Sequence, residues 1–218
     1  MQERHLRELY CDRRLSMMEA ANELKVTHAT VLYWCKKFNI SRRSWKESTY
    51  IKQNPQGDPF FISRKLSLKG KALLNAGLLL YWAEGNKGQS SVRLANLDHR
   101  MILLFLRFLR EICHINEHRL FLYVRVYKKF SLESAHQYWS KYLNIPASRI
   151  FVYPHTDKRS KRTRQWSKYG IATLEFHNIK LKQWLDSSIE GLVEQLLKEQ
   201  VVDKMTPRFL IRNNGIQN

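Results

Sequence analysis

The chain has 218 residues, and 38 Lys and Arg against 19 Asp and Glu leave a net charge of +19 at pH 7. With 44% hydrophobic and 12% aromatic residues it is too apolar for a disordered basic tail, and 8 Gly and 5 Pro exclude collagen-like or low-complexity architecture. The longest apolar run, Ala76–Ala83, falls well short of the ~20 residues that span a bilayer; the charged N-terminus reads as no secretory signal, and the 3 cysteines form no CxxC pair, so a cytoplasmic, nucleoid-associated protein with reduced thiols is expected.

Residues 1–46 read as a compact helical unit. Leu6, Leu9 and Tyr10 give an apolar stripe. Ser16 is placed to cap a helix from Met17 to Leu24, with Glu19 closing a capping box. Lys25 and Val26 make a short turn. Thr27 then caps the helix HATVLYWCKKF, whose inner face falls on Val31, Trp34 and Cys35 or Phe38. Ala21 is small where the two helices would cross, and Val26 is the hydrophobe of the turn. This spacing resembles the small helix-turn-helix domains of resolvases and transposases, with Lys25 where those often carry Gly. The resemblance implies a second helix that enters the major groove and aims His28, Ala29, Thr30, Tyr33 and Lys36 at base edges or phosphates. The Arg42-Arg43 pair just beyond it adds phosphate contacts.

Residues 47–67 read as a linker, with turn formers at Asn54-Pro55 and Gly57-Asp58-Pro59. From 68 onward the pattern changes. LSLKGKALLNAGLLLYWAEG predicts a helix that is apolar on most sides, with Gly85 as its left-handed C-cap. Then follow a strand SVRLAN, a helix HRMILLFLRFLREI capped by Asp98, a strand RLFLYVRVY and a helix LESAHQYWSKYLNI. A strand RIFVYP comes next, then a basic loop, a strand GIATLEFH, and the long helix IKLKQWLDSSIEGLVEQLLKE. Residues 201–218 read as a polar tail. No HExxH, GxSxG, P-loop or GxGxxG spacing occurs, so metalloprotease, hydrolase, NTPase and Rossmann chemistry lack their motifs.

The apolar helix ends in Glu84. A carboxylate in a last helical turn opposes the helix dipole, by roughly 0.3–1 kcal/mol. Lys87 or a hard divalent cation would offset it. Ala83-Glu84-Gly85 closes a segment that resembles the motif helix of the LAGLIDADG homing endonucleases. Glu84 falls on the motif's last acid, Gly85 on its last glycine and Trp82 on its first acid. SVRLANLDHRMILLFLRFL and YGIATLEFHNIKLKQWL resemble the strand-to-helix segments that follow in that family.

The resemblance covers about residues 68–197 and implies an α+β protein. A small all-α helix-turn-helix domain would precede a LAGLIDADG-like αββα-type domain over 68–200, with a saddle-shaped antiparallel sheet astride double-stranded DNA. A single motif implies a homodimer that packs Ala76, Gly77, Leu80 and Ala83 of two helices together. It would hold Mg²⁺ at Glu84 and Gly85, with Lys128, Lys168 and Gln89 (and Lys129 beside them) as candidate auxiliary catalytic residues. Arg93, Arg125 and Tyr127 on strands would contact the groove, and Lys158, Arg159, Lys161, Arg162 and Arg164 of the basic loop would clamp the flanking backbone. The expected function is a Mg²⁺-dependent, site-specific DNA endonuclease. A non-cleaving transcriptional regulator of the same fold is the alternative, and RNA binding a third.

Overall fold

The computed structural model describes residues 2–88, 90–155 and 167–205, with side chains to residue 198. Gln89 and the loop residues Lys158, Arg159, Lys161, Arg162 and Arg164 lie outside the described residues. The chain divides into two compact units, Met1–Pro59 and Phe60–Asn218.

The first unit contains helices α1 (Glu3–Arg7), α2 (Met17–Glu23), α3 (His28–Lys37) and α4 (Trp45–Gln53), with a wide turn over Glu8–Asp12 after α1. Leu6, Tyr10, Met17, Ala21, Val31, Cys35 and Ile40 form its core. Ser16 caps α2: its Oγ accepts from the Glu19 N–H at 3.1 Å, and the Glu19 carboxylate accepts from the Ser16 N–H at 2.7 Å. Those bonds, first the one from the Ser16 backbone, hold the Glu19 carboxyl below its usual range. Thr27 caps α3 by accepting from the Thr30 N–H at 3.2 Å.

Both helices stop in the same way. Lys25 (φ 54°) and Asn39 (φ 52°) adopt left-handed backbone, and Val26 and Ile40 donate back to Ala21 and Cys35 carbonyls at 3.0 and 2.8 Å. Lysine at such a position costs about 1 kcal/mol relative to glycine. The buried face of α3 is Val31 and Cys35; Trp34 and Phe38 are only half-buried and stack on each other at 5.2 Å.

Within the segment read as a linker the structure places α4. Ser44 caps it in a second capping box with Glu47. Only Tyr50 of this helix is buried, so its sequence has no apolar stripe to betray it.

The second unit runs α5 (Leu68–Glu84), β1 (Val92–Asn96), α6 (His99–Glu111), β2 (Leu120–Val126), α7 (Leu132–Leu143), β3 (Ile150–Pro154), β4 (Ile171–Phe176) and α8 (Ile179–Met205). The fold is mixed α+β with one open four-stranded sheet, ordered β1-β4-β2-β3. Two expectations change here. The sheet is mixed rather than antiparallel, because β4 runs antiparallel to β1 and β2 while β2 and β3 are parallel. The reason is α7, which returns the chain so that β3 starts at the same end as β2. The order is also not αββα, since α6 separates β1 from β2. Likewise α8 continues to Met205, into the segment read as a tail.

One face of the sheet and all four helices share one core, in which Phe105, Phe108, Leu122, Trp139, Leu174, Phe176 and Leu181 are fully or almost fully buried. The other face carries the alternate residues of each strand and no part of that core. Asp98 caps α6, and the Arg100 guanidinium and N–H that bind its carboxylate pull it down to about 2. No described helix is long and apolar enough to cross a membrane.

Candidate nucleic-acid interface

In the first unit, α2 and α3 pack through Ala21 and Val31, which leaves the opposite side of α3 to solvent. Tyr33 is 59% exposed there, with Ala29, Lys36 and Lys37 also exposed. His28 and Thr30 are half-buried, and the Thr30 hydroxyl hydrogen-bonds the Thr27 hydroxyl at 2.9 Å. Lys37 places its ammonium 4.7 Å from the Trp34 ring centroid. Arg42 is exposed, and Trp45 at the start of α4 is 81% exposed.

Arg43 departs from expectation. Its guanidinium donates to the carbonyls of Tyr10, Arg14 and Leu15 and lies 4.0 Å from the Tyr10 ring centroid, while its N–H donates to the Tyr10 hydroxyl at 3.0 Å. The side chain thus ties the end of the Glu8–Asp12 turn to the residues just before α4, a stabilising role within the unit. Replacing Arg43 with Gln should lower the unit's stability by about 2 kcal/mol, since hydrogen bonds to a charged group carry roughly 1.5–3 kcal/mol. Thermal unfolding followed by circular dichroism measures this.

In the second unit, the C-terminus of α5 presents Glu84. The carboxylate is exposed and makes no hydrogen bond or ion pair with any described residue. Lys87 does not reach it; the ammonium instead donates to the Trp82 carbonyl at 2.6 Å, where it satisfies the negative end of the helix. Gly85 is not the left-handed cap expected. It is extended (φ −72°, ψ 154°), donates to the Tyr81 carbonyl at 2.8 Å and bridges Leu94 of β1. Glycine is needed there for space, because a Cβ would lie 2.3 Å from the Tyr81 carbonyl oxygen.

The four residues expected to join two copies separate on the helix. Gly77 is buried against Phe108 of α6, where an added Cβ would meet that side chain at 2.2 Å. Leu80 is half-buried against the core. Gly77 therefore packs within its own chain. Ala76 is half-buried and Ala83 exposed, and they fall on a stripe with Leu68, Ala72 and Leu79, beside Trp82. Leu68, Leu79 and Trp82 are 87%, 40% and 51% exposed.

None of the described candidate auxiliary residues makes a hydrogen bond or ion pair with Glu84. Lys128, just past β2, is exposed, and Lys129 lies 5.0 Å from the Phe130 ring centroid. Lys168 lies 5.6 Å from the Tyr169 centroid. Tyr127 falls beyond the end of β2 and stacks on His155 at 4.8 Å, so it is not a strand residue facing a groove. Among the described residues no three of His, Cys, Asp and Glu are grouped to hold a metal ion.

The open face of the sheet holds what the sequence reading overlooked. Arg93 is there, but its guanidinium is bound to Glu175 at 2.6 Å. Glu175 is itself 4% exposed, receives the Ser91 hydroxyl at 3.0 Å, and lies 3.5 Å from His177. Arg125 is exposed and unpaired among the described residues. On the same face stand four rings, Phe121 and Tyr123 of β2 and Phe151 and Tyr153 of the edge strand β3. The alternation in RLFLYVRVY and RIFVYP carried this signal, since every second residue of those strands is aromatic or Arg. Comparison with protein-family models, curated proteins and solved structures gave no match.

Proposed function

We propose that this chain is a sequence-specific double-stranded DNA-binding protein that acts as a homodimer. The observation that carries this reading is the division of labour on α3. Val31 and Cys35 are spent on packing, whereas Tyr33, Lys36 and Lys37 face solvent, with Arg42 close behind. The capped α2, the left-handed Lys25 and the capped α3 support a helix-turn-helix whose second helix enters the major groove. Tyr33 would meet base edges, Lys36 and Arg42 phosphates. The net charge of +19 supplies the field that draws a duplex in. The dimer contact would be the apolar stripe Leu68, Ala72, Ala76, Leu79 and Ala83 of α5, whose small residues permit close approach of a second copy.

A second reading adds cleavage, in the manner of a LAGLIDADG-like endonuclease. The observation that favours it is Glu84, an unpaired carboxylate at the end of that same stripe. Two copies would bring two Glu84 carboxylates together, and like charges held close favour a shared Mg²⁺. When bound, the ion would activate a water and stabilise the leaving oxygen of a phosphodiester. Glu84 would orient the ion, and Trp82 beside it would shield the site from bulk water. Without that ion the same dimer is a regulator that binds its site uncut.

The experiment is to select the preferred duplex from a random pool in EDTA, then add Mg²⁺. Specific binding is expected, with Lys36→Ala lowering the salt slope of log K by about 1 and weakening binding across sequences. Cutting that disappears with Glu84→Gln supports the endonuclease. Tight binding with no cut in Mg²⁺ leaves the regulator. If no duplex is selected, the proposal fails.

A further inference from the structure

The four aromatic rings on the open face of the sheet are unusual for a surface that reads a duplex. Bases in a duplex are stacked on each other and show only their edges. Flat rings presented to solvent suit bases whose faces are free. Tyr123 and Phe151 lie 5.5 Å apart with planes 21° from parallel; Tyr123 and Tyr153 lie 6.4 Å apart at 19°. Phe151 and Tyr153 are 42% and 40% exposed, large values for rings that could have turned into a core. None of the four contributes to the core on the other face.

The charges around the rings fit a polyanionic strand. Arg125 is exposed and unpaired among the described residues, one residue from the Tyr123–Val124 step of the same strand. Arg149 lies 5.2 Å from the Phe121 centroid, its guanidinium held by the His118 carbonyl. Among the described strand residues of this face the one acid, Glu175, is neutralised by Arg93. The surface is thus a row of rings, with Phe151 and Tyr153 each near-parallel to Tyr123 and Phe121 tilted, beside the cations Arg125 and Arg149. We propose that this open sheet face binds single-stranded DNA, by stacking successive unpaired bases on Tyr123, Phe151 and Tyr153 while Arg125 meets the backbone. The choice of DNA rests on the reading above that the protein acts on DNA; the stacking function does not.

The test uses the full chain and an eight-nucleotide oligodeoxythymidine, followed by fluorescence anisotropy, with an RNA of the same sequence and a duplex as comparators. Binding to the DNA strand is expected, and Tyr123→Leu with Phe151→Leu should weaken it by about 100-fold, roughly tenfold per ring. Leucine keeps the apolar bulk, and circular dichroism checks that the fold is intact. Arg125→Ala should lower the salt slope without abolishing stacking. A bromodeoxyuridine oligomer should photocross-link to Tyr123 or Tyr153, mapped by mass spectrometry. If the double Leu variant binds as wild type does, or cross-links map elsewhere, the proposal is overturned. Binding of RNA alone overturns it as well. If the single strand binds in this manner and no duplex does, the proposal stands and the duplex-binding reading falls.

Discussion

Gly77→Val is expected to destabilise the second unit by about 3 kcal/mol, near the top of the overpacking range. Gly77 sits in mid-helix α5, where glycine is itself about 1 kcal/mol worse than alanine. It is kept because Phe108 of α6 occupies the space. A Cβ there would lie 2.2 Å from Phe108 Cγ, 2.4 Å from Cδ2 and 2.7 Å from its Cβ. Those atoms belong to a fully buried ring packed on Phe105 at 5.7 Å. The ring cannot withdraw without disturbing a second one. Even Gly77→Ala should cost about 1–2 kcal/mol, despite its better helix propensity. Urea unfolding measures the loss, and Phe108→Leu should recover part of it, a coupling that a double-mutant cycle reads directly. A loss that does not depend on protein concentration would assign Gly77 to the fold of one chain and not to a contact between two.

Trp139→Ala should be the more damaging change, at about 3–5 kcal/mol. Trp139 is 1% exposed and is the largest buried side chain of the unit. It lies on the face of α7 that covers β2 and β3. Its indole N–H donates to the Tyr169 carbonyl at 2.9 Å. Beside it Tyr138 stacks on the Tyr169 ring at 3.7 Å, with planes 2° apart. The substitution therefore opens a cavity and also strands the carbonyl of the turn that leads into β4. For a unit of this size, 1 kcal/mol corresponds to about 2–4 °C, so Tm should fall by roughly 10 °C or more. Trp139→Phe keeps most of the volume and removes the donor. It should cost about 1–2 kcal/mol, and the difference between the two variants separates packing from the hydrogen bond.

Both positions bear on the geometry of the sheet. α6 and α7 press on its inner face, and the flatness and spacing of Phe121, Tyr123, Phe151 and Tyr153 on the outer face follow from the parallel pairing of β2 with β3. Register pairs Tyr123 with Phe151 and Arg125 with Tyr153, which is why cation and ring alternate across the strands. A loosened inner face would blur that alignment before it unfolded the unit.

The sequence by itself determined whatever rests on short-range pattern. Ser16, Thr27 and Asp98 were legible as caps because a cap is a residue type at a fixed offset from an apolar period. The strands and long helices of the second unit were legible because their apolar periods of 2 and 3.6 are strong. The α+β class, the helical pair α2–α3 and the placement of Glu84 at the end of an apolar helix came from the same signals.

Tertiary structure alone decided the rest. It made Gly77 an intrachain contact and Gly85 an extended bridge to β1, because a glycine's role depends on what approaches it. It turned Arg43 inward, because the carbonyls it satisfies lie about thirty residues away in sequence. It bound Arg93 to Glu175 across 82 residues. It set β3 parallel to β2, a matter of where α7 delivers the chain, which no local period records. The row of rings needed both: alternation put aromatics at every second residue of two strands, and only their pairing made one surface of them.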